Sequence, residues 1–134
     1  MKTFVTTTRV RYAETDATGI AYYNSYLLYF EVGRIEMFRE LGLPYDGRLP
    51  IRETYCRYFA SAEFDDLLEI RSFVGEVRSK GFRIGGEVYR RRDGEELLLL
   101  ARGHTVMVTV DGEGNPTELP PAFRQAFERM EPNP

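Results

Sequence analysis

The sequence predicts an α+β domain in which a five-stranded antiparallel sheet wraps around one long helix, with a short helix near the C-terminus. Three observations support this fold class. Strand-like alternation at the N-terminus gives way to a helical apolar period, and most of the second half of the chain has strand patterning. A chain of 134 residues fits one domain, residues 1–134, with a thin core. Packing against a second copy would therefore help to bury apolar surface.

The first two elements differ in their hydrophobic period. Residues 4–12 alternate between two faces, which predicts a half-buried strand. Residues 24–41 follow a helical period instead. The side chains of its predicted buried face recur every three or four positions, at Tyr26, Phe30, Gly33, Met37 and Leu41.

The ends of this helix carry stop and start signals. Asn24 or Ser25 can cap its start, and Gly42 provides a left-handed stop. Gly33 costs about 1 kcal/mol relative to alanine inside a helix. We therefore expect the helix to approach the sheet closely at Gly33.

Strand patterning dominates the second half of the chain. We predict strands over residues 52–60, 67–77, 81–91 and 96–110. Asp93-Gly94 is a hairpin signal between the last two strands. The Pro120-Pro121 pair then opens a short amphipathic helix, AFRQAFERM.

Composition argues against several classes of function. The net charge of −3 is not that of a dedicated nucleic-acid binder. No apolar stretch is long enough to span a membrane, and the first residues lack the apolar segment of a secretory signal. The single cysteine, Cys56, fits a reducing compartment, and we expect a buried, inert thiol. These features together predict a cytoplasmic protein.

The basic residues are unevenly distributed. Residues 71–102 contain eight basic and five acidic side chains, although the whole chain is acidic. One interpretation is a sheet edge protected by arginines. The other is a binding site for a small polyanion such as a nucleotide phosphate.

Several kinds of catalytic site are excluded by residue counts. His104 is the only histidine, and its strand position favours a core or surface role. With one histidine and one cysteine, the chain has too few ligands of these types for a His-based triad, and we expect no transition-metal site. We expect neither a metal nor a cofactor.

The stretch ETDATGIAYYNSY, residues 14–26, places a carboxylate in a turn just before the long helix. In one interpretation Asp16 is an Asx-turn residue that bonds its own backbone. In the other it is catalytic, because the amides near Tyr23, Asn24 and Ser25 have no intrahelical acceptor and carry the positive end of the helix dipole. A carbonyl oxygen held there would be polarised, and the carboxylate could act as a nucleophile or as a base for water.

One carboxylate and one helix start are sufficient to cleave a thioester. Its leaving group is a thiolate, and a free thiol has a pKa of about 8.5. Such a group departs without the general acid that an amine would need. The substrate itself stays open at this point.

The run YAETDATGIAYYNSYLLYFEVGRIEMFRELG, Tyr12 to Gly42, resembles the signature of the hotdog-fold acyl-CoA thioesterases of the 4-hydroxybenzoyl-CoA thioesterase type. Two later stretches, SAEFDDLLEI at 61–70 and VTVDGEGNPTELP at 108–120, resemble later motifs of the same family. The resemblance thus covers nearly the whole chain. The matching positions of the first run are Tyr12, Asp16, Gly19, Tyr22, Tyr26, Glu31 and Arg34.

This resemblance implies a hotdog fold and hydrolysis of a small or medium acyl-CoA or aroyl-CoA. It implies that Asp16 is the catalytic carboxylate, that Gly19 and Tyr22 belong to the substrate-binding turn, and that the amides around Tyr22, Tyr23 and Asn24 polarise the carbonyl. It also implies homodimers, or tetramers made of two dimers, with the substrate in a groove between subunits. Coenzyme A enters only as part of substrate and product.

Coenzyme A carries phosphates, which gives the basic residues of the second half a possible partner. We expect Lys80 to contact a phosphate or the pantetheine arm of coenzyme A, and Arg57 and Arg90 are the next candidates for such a contact. The resemblance also gives Glu31 a possible role as a base, because other hotdog thioesterases use a helix glutamate in this way. Its three-residue spacing to Arg34 favours an ion pair on the helix instead.

Two other functions remain open. A non-catalytic module that binds acyl-CoA or an acyl carrier protein would use the same groove. A hotdog hydratase or dehydratase needs a paired aspartate and histidine, which here requires His104 to lie near Asp16.

Overall fold

The computed structural model describes residues 2–46 and 48–130. Its five strands form one antiparallel sheet in the order β1-β3-β4-β5-β2, so β1 and β2 are the two edges. The predicted α+β architecture is confirmed, including one long helix against the sheet and a short helix near the C-terminus. The elements are β1 (Phe4–Arg9), a 3-10 turn (Tyr12–Glu14), α1 (Ser25–Leu41), β2 (Ile51–Tyr58), β3 (Leu67–Val77), β4 (Gly81–Arg91), β5 (Leu98–Val108) and α2 (Pro121–Glu128).

Side chains alternate between the two faces of the sheet. One face packs against α1 and buries residues such as Ile70, Val88 and Thr105. We call the opposite side the outer face. On it, the Tyr55 and His104 rings of neighbouring strands stack with their centroids 5.4 Å apart.

Helix α1 lies very close to the sheet at Gly33, as its sequence position predicts. A Cβ atom at Gly33 would lie 2.7 Å from the Ile70 Cγ2 atom and would also collide with the Ser72 hydroxyl. On the sheet, Gly86 leaves room in the same way for the ring of Phe30. Glycines on both elements therefore allow the helix to sink into the curved sheet.

An aromatic cluster fills the space beneath the C-terminal half of α1. Phe38 is fully buried there and contacts Phe82, Phe123 and Phe127 at ring-centroid distances of 5.9 to 6.4 Å. Two of these rings come from α2, so the short helix closes this end of the core. The amphipathic pattern of AFRQAFERM predicted that contact face.

The first strand is shorter than the predicted 4–12. It ends at Arg9 because Val10 bonds instead to the segment before β3, donating to the Asp66 carbonyl at 3.0 Å and accepting from the Asp65 amide at 2.9 Å. The chain then tightens into the 3-10 turn, where the Glu14 amide donates to the Arg11 carbonyl. These partners are distant in sequence, so the alternation alone did not reveal them.

Two predictions about α1 side chains are wrong. Asn24 occupies the N-cap position, but its side chain makes no capping hydrogen bond. Glu31 and Arg34 form no ion pair; Arg34 is buried and donates to the Thr105 hydroxyl at 2.9 Å and to the Tyr45 hydroxyl at 3.2 Å. The predicted stop is confirmed, since Gly42 has a φ of 70° at the end of the helix.

Among the described residues, no helix has the length and apolar character needed to cross a membrane.

We predict that Gly33→Ala lowers the free energy of unfolding by about 1 kcal/mol. Overpacking against Ile70 and Ser72 costs about 1–3 kcal/mol, which outweighs the gain of about 1 kcal/mol in helix propensity. Urea unfolding followed by circular dichroism measures the change. Gly112→Ala is the matched control, because a Cβ atom there meets nothing within 4 Å. A Gly33→Ala protein with an unchanged or higher urea midpoint would contradict the close contact.

Candidate active site

Asp16 lies in a small hairpin that directly precedes α1. Thr15 and Ala21 form an isolated antiparallel bridge, and the Asp16 amide donates to the Ile20 carbonyl at 2.9 Å. The Gly19 amide donates back to the Asp16 carbonyl at 3.1 Å, and Gly19 has a φ of 82°, which favours glycine. The turn thus places Asp16 at an exposed tip.

The Asp16 carboxylate is held by Thr18. Its Oδ1 atom accepts the Thr18 hydroxyl at 2.6 Å and the Thr18 amide at 2.8 Å. These bonds favour the charged form, so the pKa of Asp16 is lowered from its ordinary value, chiefly by the Thr18 hydroxyl and next by the Thr18 amide. The Asx-turn interpretation is therefore right about the geometry. It also supplies an ionised carboxylate, with its Oδ2 atom free of protein donors among the described residues.

Glu14 ties this hairpin to α1, a role that the sequence analysis missed. Its carboxylate is 7% exposed and accepts the Arg11 amide and the Tyr29 hydroxyl, each at 3.0 Å. Its carbonyl accepts the Tyr22 amide at 2.9 Å and the Ser25 hydroxyl at 2.8 Å. One residue thus joins the turn before Asp16 to both the first turn and the interior of the helix.

The start of α1 presents two unpaired amide groups. Among the described residues, the amides of Tyr23 and Asn24 have no hydrogen-bond acceptor. Two other amides do not join them as expected, because the Tyr22 amide donates to the Glu14 carbonyl at 2.9 Å and the Ser25 amide donates to the Tyr22 carbonyl at 2.8 Å. The two remaining amides lie at the positive end of the helix dipole.

Tyr58 at the end of β2 fixes the direction of one of these amides. Its hydroxyl donates to the Tyr23 carbonyl at 2.9 Å. The peptide unit is planar and trans, so fixing that carbonyl also fixes the Asn24 amide, which points the opposite way. Burial is the main reason that the pKa of Tyr58 is raised to about 12, which keeps the hydroxyl protonated as a donor.

The other residues expected at the site are dispersed. Gly19 shapes the turn, and its carbonyl accepts the Phe64 amide at 3.1 Å. Tyr22 is 47% exposed, and its ring centroid lies 4.5 Å from that of Tyr23. Arg57 projects from β2 with its guanidinium 5.4 Å from the Phe59 ring centroid. It belongs to the outer face, because it lies opposite Arg102 and two positions from Tyr55.

Lys80 and Arg90 lie at opposite ends of β4, so one subunit cannot bring both to one phosphate. The strand has 11 residues, and at about 3.3 Å per residue its ends are about 30 Å apart. Arg90 is at the end nearer Asp16, whereas Lys80 is in the turn before β4. The expectation that Lys80, Arg57 and Arg90 contact coenzyme A stays a prediction.

Lys80 belongs to a groove of about 310 Å³ that we call the basic groove. Its charged lining consists of four cations, Arg52, Arg78, Lys80 and Arg83, and two carboxylates, Glu53 and Glu76. The Arg83 Nε atom is buried without a hydrogen-bond partner among the described residues. Most other basic residues of the 71–102 segment are neutralised by carboxylates, namely Arg71, Arg78, Arg91, Arg92 and Arg102. Lys80, Arg83 and Arg90 are the basic residues of the segment without a carboxylate partner among the described residues, and of these Lys80 and Arg83 line the basic groove.

His104 and Cys56 take no part in the hairpin or the helix start. Thr105, next to His104, bonds to Arg34 of α1, so His104 points to the outer face and away from the helix. This placement disfavours the paired aspartate and histidine of a hydratase. Cys56 is half-buried, and burial raises the pKa of its thiol, which suits an inert residue.

The geometry therefore combines an ionised carboxylate at an exposed tip with two unpaired amides at a helix start. This arrangement can attack, or activate water to attack, a carbonyl whose oxygen rests on the amides. The family model of the thioesterase-like superfamily matches residues 10–127, which include both features. The chain belongs to this superfamily.

Relatives within the thioesterase-like superfamily align with most of the chain. The putative acyl-CoA thioesterase YneP of Bacillus subtilis is 53% identical over 124 residues, which are 88% of this chain and 85% of that protein. The acyl-CoA thioesterase YbgC of Haemophilus influenzae is 30% identical over 130 residues, 91% of this chain and 92% of that protein. The family expected from the Tyr12–Gly42 motif is confirmed.

Solved structures of the superfamily share the fold. Slr0204, a 1,4-dihydroxy-2-naphthoyl-CoA thioesterase from Synechocystis, superposes with a TM-score of 0.86 at 23% identity, covering 98% of this chain and 100% of that chain. The hotdog fold expected for the chain is confirmed. Similarity at this level of identity concerns the fold alone.

We predict that Thr18→Val raises the pKa of Asp16 toward its ordinary value. The substitution removes the hydroxyl bond, which contributes most to the lowering, and leaves the Thr18 amide bond in place. A carbon-detected NMR titration of the Asp16 carboxyl measures the shift. Thr15→Val is the control, because the Thr15 hydroxyl donates to the Tyr12 carbonyl and not to Asp16. An Asp16 pKa that does not rise in Thr18→Val would contradict this account of the turn.

Proposed function

We propose that this protein hydrolyses acyl-CoA thioesters, with Asp16 performing or activating the attack and the amides of Tyr23 and Asn24 stabilising the oxyanion. The proposal rests on the two amides that lack an acceptor among the described residues, next in the chain to a hairpin that presents an ionised carboxylate. The superfamily and the relatives named acyl-CoA thioesterases support the substrate class.

The reaction has two routes that use the same groups. As a base, Asp16 takes a proton from water while the water oxygen bonds to the thioester carbon and the carbonyl electrons move to the oxygen facing the amides. As a nucleophile, Asp16 bonds to that carbon itself and forms an anhydride, which water then hydrolyses. In both routes the carbon–sulfur bond breaks with its electron pair leaving on the coenzyme A thiolate.

The energetic demands of these routes match what the site offers. A single oxyanion donor contributes about 3 kcal/mol to transition-state stabilisation in other hydrolases. The thiolate, with a thiol pKa of about 8.5, leaves without a proton donor. The lowered pKa of Asp16 keeps the carboxylate charged at neutral pH, so no second titrating residue is required.

We further propose that two copies pair through β2 to form a cytoplasmic homodimer, alone or within a dimer of dimers. β2 is an edge strand of 8 residues whose outer backbone groups have no neighbouring strand in one subunit. It carries exposed apolar side chains, including Ile51 at 50% and Tyr55 at 52%. A long, exposed edge of this kind favours pairing with another strand.

Antiparallel pairing about a twofold axis would complete the substrate site. Tyr58, at one end of β2, bonds to the start of α1, whereas Arg52, near the other end, lines the basic groove. A twofold axis sets the beginning of one β2 opposite the end of the other. The basic groove of one subunit would therefore lie beside the Asp16 hairpin of its partner.

This arrangement gives the phosphates of coenzyme A a binding site. Lys80 and Arg83 supply cations without carboxylate partners among the described residues. The thioester would extend from there to the other subunit's hairpin. Arg57 lies on β2 between these regions, while Arg90 lies at the far end of β4 from Lys80 and is the weaker of the expected contacts.

We predict that Asp16→Asn lowers turnover of acyl-CoA at least about a hundredfold, the size of a typical general-base or nucleophile contribution. Removing the charge eliminates both routes, while the amide side chain can still accept the Thr18 bonds. Release of free thiol from a panel of straight-chain and aromatic acyl-CoAs measures turnover. Calorimetry with coenzyme A measures product affinity, which we expect to be retained.

Asp93→Asn is the matched control, because Asp93 is also an exposed aspartate in a turn. Wild-type turnover in Asp16→Asn would refute the assignment of Asp16. Tight binding without thiol release by the wild-type protein, for every acyl group, would identify a binding module instead. In single turnovers with heavy-oxygen water, label in the Asp16 carboxylate identifies the nucleophilic route with water attacking the aspartyl carbon of the anhydride. Label only in the product acid arises from the base route or from water attack on the acyl carbon of the anhydride, and trapping of the anhydride with hydroxylamine separates these two.

We predict that mixing Asp16→Asn and Lys80→Glu proteins restores activity at low substrate concentration. In the proposed dimer, a mixed pair has one site with both residues altered and one site with both residues native. Random exchange makes half of the dimers mixed, so about a quarter of the wild-type activity should return. Thiol release after mild dissociation and reassociation measures the recovery. Activity that stays at the sum of the two separate variants would contradict a site shared between subunits.

A further inference from the structure

Arg34 is a buried cation without a matching negative charge. Its side chain is 3% exposed, and it donates only to two neutral hydroxyls, those of Thr105 and Tyr45. Among the described residues no carboxylate pairs with it. A guanidinium stays charged in proteins and has five N–H donors, of which these two bonds use two. Burying such a charge without a counter-ion is costly, so an anion from outside the subunit would stabilise it.

A groove of about 280 Å³ leads from the proposed reaction centre to this cation. We call it the α1–β2 groove; it is lined by Asn24, Leu27, Leu28, Glu31, Arg34, Ile51, Thr54 and Thr105. Asn24, whose amide is one of the two unpaired donors, lies at one end, and Arg34 lies at the other. They are ten positions apart on α1, which corresponds to about 15 Å along the helix axis.

The walls between these ends suit an aliphatic chain. Leu27, Leu28 and Ile51 supply apolar surface for a hydrocarbon segment, and Glu31 and Thr54 are the further polar side chains of the lining. The groove is open along β2, the edge through which a second subunit is proposed to pair. A partner there would close it and remove the remaining water from around Arg34.

We propose that the α1–β2 groove binds the acyl group and that Arg34 recognises a carboxylate at its far end, so that the preferred substrates are ω-carboxyacyl-CoA thioesters. This inference rests on the proposed thioesterase function and names its substrate class. The planar guanidinium matches a carboxylate in bidentate geometry. Thr105 and Tyr45 hold it in place from two sides, and the three remaining donors are available for the ligand.

Glu31 is the nearest competing source of a carboxylate. It lines the same groove but forms no bond with Arg34 in its own subunit. In a dimer the partner's copy of this side chain would approach the same region. The experiment must therefore separate a carboxylate of the substrate from a carboxylate of the protein.

The first measurement uses the wild-type protein and matched thioesters. Free-thiol release gives kcat/KM for suberyl-CoA against octanoyl-CoA, and for adipyl-CoA against hexanoyl-CoA. We expect at least one carboxylated member to exceed its partner by about tenfold or more, the ratio that a charge-assisted hydrogen bond provides. Equal or lower values for both carboxylated thioesters, with octanoyl-CoA hydrolysed, would refute the inference and leave the proposed function intact.

The second measurement tests Arg34 directly. Arg34→Met replaces the cation with an apolar side chain of similar length, a change that buried ion sites often tolerate. We expect the suberyl-to-octanoyl ratio of kcat/KM to fall at least about tenfold. Arg39→Met, which removes an exposed arginine on the same helix, should leave the ratio unchanged. An unchanged ratio in a folded Arg34→Met protein would refute the role of Arg34.

Binding supplies a readout that does not depend on hydrolysis. Calorimetry compares the non-hydrolysable thioethers carboxyheptyl-CoA and heptyl-CoA on the wild-type protein, and we expect the carboxylated ligand to bind more tightly. Equal affinities would refute the inference even if no thioester were hydrolysed, whereas absent hydrolysis with selective binding would refute only the proposed function. Selectivity that arises only in Glu31→Gln would show that Glu31 occupies Arg34, and would also overturn the proposal.

Discussion

The contact between Gly33 of α1 and β3 determines where both ends of the proposed site lie. Without a side chain at Gly33, the helix backbone rests against Ser72 and Ile70, and Gly86 allows Phe30 to sink equally far. At this depth the next residue, Arg34, reaches the Thr105 hydroxyl on β5. The same rigid helix carries the amides of Tyr23 and Asn24 at its start. A change in the distance between α1 and the sheet would therefore move the Tyr23 and Asn24 amides and the Arg34 guanidinium together.

Two acidic residues near the start of α1 have opposite surroundings, and this difference separates their roles. Glu14 is buried, and its carboxylate and carbonyl are fully used in joining the turn to Tyr22, Ser25 and Tyr29. Asp16, two positions later, is exposed and bonds only within its own turn, to Thr18. Glu14 fixes the geometry of the hairpin, and its occupied oxygens are not available for chemistry. Asp16 remains available because Glu14 already holds the hairpin in place.

Local features of the chain were predicted well from sequence, and features that depend on distant partners were not. The alternation and turn signals gave β3 and β4 with their observed limits, 67–77 and 81–91. The end of β1 was wrong because Val10 pairs with Asp66, and the Glu31–Arg34 pair was wrong because Arg34 turns to Thr105 instead. Asp16 could be singled out because few other residues could do chemistry. Glu14 and Tyr58 could not, since their partners are defined only in the folded protein. The basic segment is a related case. Lys80 and Arg90 belong to the same segment of the sequence, but strand β4 places them at opposite ends of the sheet.

The polarity of the sheet is the reason that the proposed mechanism uses a second subunit. In one subunit the Asp16 hairpin and the basic groove lie at opposite ends of strands about 30 Å long. The hairpin and the groove of the same subunit therefore lie too far apart to bind the thioester and the phosphates of one acyl-CoA molecule together. β2 connects the two regions, because Tyr58 contacts the helix start and Arg52 lines the basic groove. The α1–β2 groove opens along the same strand. Pairing through this one edge would bring the phosphate site to the reaction centre and close the groove that leads to Arg34. In the proposed dimer, the exposed edge strand β2 is thus the element on which thioester positioning, coenzyme A binding and acyl selection all depend.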